Sequence, residues 1–102
     1  MFRNILFPIE LSREARKGIQ LTADMVKTHQ SKLTILSVVE TKEDGVMSSE
    51  TQVAKLLQEA KLFFANQGIS AETLEREGLP AFTICDVADE INADLIIMSC
   101  RG

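Results

Sequence analysis

The stretch "GLPAFTICDVADEINADLIIMSCRG", residues 78–102, holds one helix and one strand in sequence and governs how the remaining segments are assigned. Pro80 suits a first helical position, where its fixed φ is already helical and its missing N–H is not needed. Ile84, Val87, Ala88 and Ile91 recur at helical spacing and predict the buried stripe of that helix. Asp94 then opens a strand, "LIIM", apolar on both faces and so expected in the covered middle of a parallel sheet. The run ends in "SCRG", Ser99 to Gly102, where a phosphate-cradling turn ordinarily hands a strand over to a helix.

Upstream of this unit the same alternation repeats. "ISAETLERE", Ile69 to Glu77, alternates enough for a strand at a sheet edge. Before it, Val53, Leu56, Leu57, Ala60 and Phe64 mark a second helix. Its start is expected at "SETQ", Ser49 to Gln52, a capping box, and its end at a left-handed Gly68. Thr41 to Ser48 is polar, contains a glycine and predicts a loop. "KLTILSVVE", Lys32 to Glu40, is rich in β-branched residues, and Asn4 to Ile9, "NILFPI", reads as the first strand. Between these two strands, Ser12 is placed to cap a helix with Glu14 in its first turn. Ala15, Ile19, Thr22, Ala23 and Val26 share one face of that helix.

The resulting order is β-α-β-α-β-α-β. Strands separated by helices cannot pair as hairpins, so the sheet is parallel and its crossovers right-handed. The expected fold is α/β, Rossmann-like: an open parallel sheet of order 3-2-1-4 with helices on both faces. In such sheets ligands bind beyond the carboxyl ends of the strands, where strand order reverses. That place lies between strands one and four, so "PIELS" (Pro8 to Ser12) and "SCRG" open onto one crevice.

Composition removes several alternatives. A chain of 102 residues supports one domain. Lys+Arg 11 against Asp+Glu 15 gives a net charge of -4 with the cations scattered, which argues against nucleic acid as a partner. The densest basic run, Arg13 to Lys17, reads as a solvated helix face. Cys85 and Cys100 make no C-x-x-C pair, and His29 has no ligand-spaced neighbour, so a structural zinc site is excluded. No apolar run is long enough for a membrane span and no signal peptide is visible, which leaves a cytoplasmic location as the expectation.

With these elements in place the sequence resembles the universal stress protein family, an α/β fold whose members include adenine-nucleotide binders. The resemblance runs the whole length. It rests on "ILFPIELS", "LTILSVVE" and "GLPAFTICDVADEINADLIIMSCRG", with helices of fitting length between them. By resemblance, Pro8 and Ile9 line the base side of a nucleotide crevice and Val38 packs on the adenine. Glu10 stands where the family usually has aspartate, near the ribose or a phosphate-bound magnesium. Met98, Ser99, Arg101 and Gly102 belong to the end of strand four and its phosphate loop. No cofactor is expected to be required; the ligand the resemblance implies is ATP or AMP with magnesium, and the implied assembly is a homodimer or other homo-oligomer.

This chain also departs from the family pattern. ATP-binding members show glycine, two residues, glycine, then nine residues and a glycine followed by serine or threonine. Here Ser99 replaces the first glycine, Gly102 is the second, and the last helix and strand do not follow. Serine narrows the space for a phosphate unless its hydroxyl contributes a bond. The expectation is thus a single, C-terminally truncated domain, 1–102, that binds ATP weakly or not at all by itself. A dimerisation or partner-interaction module of the same family is the alternative.

Other residues carry two readings. Glu10 is either a pocket group or an exposed carboxylate at a strand end. Glu40 is either its partner across the crevice in a metal-binding or acid/base couple, or a turn residue. Cys100 is either a redox-sensing thiol or a small packed residue. Cys85 is expected to pack beside the helix-three stripe, Met25 and Met98 to fill the core, and Asp86, Asp89 and Glu90 to form a solvated face. His29 suits the negative end of helix one. No nucleophile, base and orienting group can be assembled, so an enzyme such as a nucleotide hydrolase ranks below both binding readings.

Overall fold

The computed structural model describes residues 3–9, 17–39 and 46–97. Seven elements alternate along it: β1 (Asn4–Ile9), α1 (Lys17–His29), β2 (Lys32–Val39), α2 (Val46–Asn66), β3 (Ala71–Glu77), α3 (Pro80–Ile91) and β4 (Leu95–Ile96). The four strands form one sheet of order β3-β2-β1-β4, and every pair is parallel. The strand order, the pairing sense and the β1 limits are those expected from the sequence.

Two apolar layers follow from this order. Right-handed crossovers that step from β1 to β2 to β3 place both helices on one face; the return to β4 places the third on the other. Accordingly Ile5, Phe7, Ile9, Leu33 and Ile35 pack with Ala23 and Val26 of α1 and Leu57, Ala60 and Phe64 of α2. Leu6 and Leu36, of opposite pleat parity, pack with Ile84 and Val87 of α3. Phe64 meets Phe7 edge to face at 6.3 Å, which centres the larger layer.

Each helix ends in the same backbone device. Gln30, Gly68 and Asn92 have φ of 51°, 80° and 54°, and each is followed by a residue whose N–H reaches back five positions. These bonds are Ser31 to Val26 at 3.1 Å, Ile69 to Phe64 at 2.9 Å and Ala93 to Ala88 at 2.9 Å. The pattern is a Schellman turn, which satisfies carbonyls the helix leaves open. Gly68 was expected; Gln30 and Asn92 were not.

α2 begins at Val46, three residues ahead of the expected cap at Ser49, so "SETQ" lies inside the helix and residues 46–48 are not loop. Val46 stands seven residues before Val53, and helical spacing therefore reaches further back than the capping box. At α3 the expected Pro80 start is met, with Leu79 as an extended N-cap that has no side-chain cap bond. Gly78 turns the chain there at φ 148°, and a Cβ on it would lie 2.7 Å from Thr83 Oγ1.

Cys85 is exposed, in contrast to the packing expected of it, because it sits one position off the Ile84–Val87 stripe. Met25 is partly buried against the larger layer. Asp86, Asp89 and Glu90 are exposed, as expected. "LIIM" was expected in the covered middle of a sheet. Among the described strands β4 stands at an edge, and Ile96 is 36% exposed there. The Ser12 cap, Arg13 to Arg16 of the basic run, Glu40 and Cys100 fall outside the described residues or, for Lys17, the described side chains.

Candidate functional site

The carboxyl ends of β1 and β4 lie side by side because both strands point the same way and share the register Ile5↔Leu95 and Leu6↔Ile96. Strand order reverses between them, as the switch-point rule requires of a ligand crevice. β2 adds the third tip, with Ile9 opposite Ser37 and Val38 one residue beyond.

Of the eight residues singled out from the sequence, Pro8, Ile9 and Val38 are described. Pro8 and Val38 share the pleat parity of Leu6 and Leu36, and Val38 packs against the α3-side layer. Both are half-buried, so adjacent strand ends offer a small apolar platform. Ile9 faces the other way. It is 3% exposed in the larger layer and lines a cavity of about 400 Å³ with Ile19, Gln20, Leu56, Glu59 and Phe63. The sheet itself therefore separates Ile9 from Pro8 and Val38. Glu10, Met98, Ser99, Arg101 and Gly102 lie outside the described residues.

Charge enters beside the platform through Arg76, which stands opposite Val38 in the β2–β3 register. Its guanidinium lies 3.5 Å from Glu90 of α3, a partly exposed pair that fixes position more than it adds stability. Sequence reasoning missed Arg76 because neighbours across strands are set by register, which the linear pattern does not contain. Among the described residues no group of three His, Cys, Asp or Glu is placed to hold a metal ion. None of the helices described is long and apolar enough to cross a membrane.

The opposite end of the sheet is fastened by polar groups. Asp94 Oδ2 accepts from the backbone N–H groups of Arg3 and Asn4, both at 2.9 Å. The Asp94 N–H donates to the Asn4 carbonyl at 2.8 Å. Asn4 Nδ2 in turn donates to the carbonyls of Ile91 and Asn92 at 3.2 and 3.3 Å, closing the end of α3. Hydrogen bonds from Asn4 and Arg3 hold the Asp94 carboxyl below the ordinary aspartate range. This clamp sets the register of β4 on β1, and with it the position of the crevice at the far end.

The sequence profile of the Universal stress protein family matches residues 1–102. Universal stress protein Sll1654 of Synechocystis is 56% identical over 108 residues, spanning 100% of this chain and 69% of that protein. Among solved structures, the universal stress protein from Archaeoglobus fulgidus in complex with dAMP superposes with a TM-score of 0.82 at 16% identity. The match covers 94% of this chain and 79% of that one. A universal stress protein in complex with cAMP gives a TM-score of 0.78 at 16% identity, covering 93% and 74%. Both structural likenesses are of fold.

Proposed function

The chain belongs to the universal stress protein family, and on that footing we propose that the crevice between β1 and β4 receives an adenine nucleotide, ATP or AMP. The single observation that carries this reading is the parallel β1–β4 seam at the reversal of strand order, with the half-buried Pro8 and Val38 beside it. Solved family members of this fold that hold cAMP and dAMP add support. Val38 and Pro8 offer the base a flat apolar contact, and Ile9 supports the end of β1 from the opposite face. Glu10, Met98, Ser99, Arg101 and Gly102 complete the site on the sugar and phosphate side.

Magnesium, when bound, screens the phosphate charge. Glu10 is the protein carboxylate offered to it, in keeping with a cation that takes few protein ligands beside phosphate oxygens. The nucleotide acts as a signal in a cytoplasmic homodimer and is not turned over quickly. A second reading, a partner-interaction module, draws on β4, which stands at an edge among the described strands and whose exposed Ile96 invites association.

Titration of the isotope-labelled chain with ATP, followed by amide shifts, tests the first reading. Saturable shifts at Ile9, Val38 and Ile97, with a Kd weaker than micromolar and lost in Val38→Asp, are expected. Shifts that do not saturate, or that survive Val38→Asp, sink it and leave the interaction module.

A further inference from the structure

β1 is a central strand, yet its two neighbours hold it unequally. β2 pairs with it along all of Asn4–Ile9, whereas β4 pairs only at Ile5 and Leu6. Backbone parity explains the difference. The Arg3 carbonyl accepts from Lys32 on the β2 side, while the Asn4 and Leu6 carbonyls accept from Asp94 and Ile97 on the β4 side. Odd residues of β1 therefore serve β2 and even residues serve β4.

In a parallel ladder a residue that donates to position i accepts from position i+2, and its N–H and C=O engage the same neighbour. Ile97 donates to Leu6 at 3.0 Å, so its carbonyl next requires the N–H of residue 8. Residue 8 is proline and has none. The β1–β4 ladder loses that bond, and the described part of β4 ends at Ile96. β2 loses nothing, because Phe7 and Ile9 carry its bonds. Proline is ordinarily confined to edge strands, where it blunts an open edge. β1 is no edge, so that use does not apply.

We propose that Pro8 is a positioning residue for the crevice: by withholding one N–H it keeps β4 from zipping onto β1 beyond Leu6↔Ile96, and it leaves the Ile97 carbonyl oxygen in the seam as an acceptor for an N–H or O–H of the bound ligand. The open seam is independent of what binds; the acceptor role rests on the nucleotide reading above. The notch lies beside the Pro8–Val38 platform, so a base resting on that platform brings its polar edge to the strand gap.

The test restores the missing donor. In the wild-type chain, through-hydrogen-bond coupling is expected to link the Leu6 carbonyl to the Ile97 amide, and the Ile97 carbonyl is expected to couple to no amide. In Pro8→Val the new amide at position 8 is expected to couple to the Ile97 carbonyl. It should exchange with solvent at least about a hundredfold more slowly than an open amide, and ATP should bind about tenfold more weakly. Pro8→Ala supplies the same donor with a smaller side chain and must behave alike.

A new amide that is uncoupled and unprotected in either variant overturns the seam. So does a wild-type Ile97 carbonyl already bonded to an amide, a result that needs no variant to fold. Coupling with unchanged ATP affinity overturns the acceptor role. Saturable ATP binding absent from the wild type, with the coupling pattern in place, ends the nucleotide reading and leaves the seam standing.

Discussion

Gln30 and Gly78 hold backbone angles that L side chains avoid, Asp94 carries a charge whose worth depends on pH, and each gives a measurable outcome. Gln30 stands in the left-handed region at φ 51°, at the position where glycine is the usual choice. Gln30→Gly should therefore stabilise by about 0.5–1 kcal/mol, because the relief of Cβ strain exceeds the entropy lost by glycine. Thermal unfolding would read this as a rise of a few degrees, and an unchanged or lower Tm would contradict it. Gly78 is the reverse case. Gly78→Ala meets both φ 148° and Thr83 Oγ1 at 2.7 Å, and should cost about 1–3 kcal/mol in urea unfolding. Adding Thr83→Ala should recover only part of that loss, since it removes the collision and not the angle.

Asp94 carries the pH dependence. Its carboxyl is held below the ordinary range by two backbone donors, so the folded state favours the ionised form. Stability from it is present above the unfolded pKa of about 4 and is lost as pH falls through the lower folded value. Asp94→Asn should weaken the fold at neutral pH and leave it nearly level with wild type once both are well below that window. Urea curves at several pH values check this; parallel losses at every pH would refute it.

Among the elements, α2 shows how a local signal yields to a longer one. The capping box at Ser49 is a sound N-terminal signature, yet the helix runs on to Val46, because one hydrogen-bonded turn is added wherever the residues permit helix and the stripe continues. Its other end obeys local chemistry: Gly68 is left-handed, and nothing lies within 4 Å of where a Cβ would be. Gly68→Ala should thus cost about 1 kcal/mol from the backbone alone, with Gly68→Asn milder, as thermal melts of the two would show. β4 makes the opposite point. Four apolar residues promise a long inner strand, and a single proline on the neighbouring strand limits it to Leu95–Ile96.

Across the whole molecule, stability is concentrated where the α1–α2 layer meets the sheet. Phe64 is fully buried, against Phe7 at 6.3 Å and Phe63 at 5.7 Å. Phe64→Ala should cost about 3–5 kcal/mol, a large share of the roughly 5–15 kcal/mol that holds a domain together. The variant should be partly unfolded at physiological temperature by circular dichroism, while Phe64→Leu remains folded; an alanine variant as stable as wild type would misplace the core. The topology needed none of this detail. Alternation of "NILFPI", "KLTILSVVE" and "ISAETLERE" with helical stripes was enough for a parallel sheet with right-handed crossovers, because period 2 and period 3.6 are written along the chain; the order 3-2-1-4 came from the doubly wound pattern that such an alternation commonly follows.

The site was legible only in part. Pro8, Ile9 and Val38 were picked out as neighbours, yet the pleat sends Ile9 to one face and the other two to the opposite one. Arg76 came beside Val38 through register alone, and Ile97 gained its role from the proline across the seam. The elements and their order were thus written in the amino-acid chain, since they depend on periodicity and on short-range turn chemistry. Which face each side chain meets, where β4 stops and which carbonyl is left open emerged only once the strands were assembled. Strand register and backbone parity join residues about ninety positions apart, and no local pattern encodes those pairings.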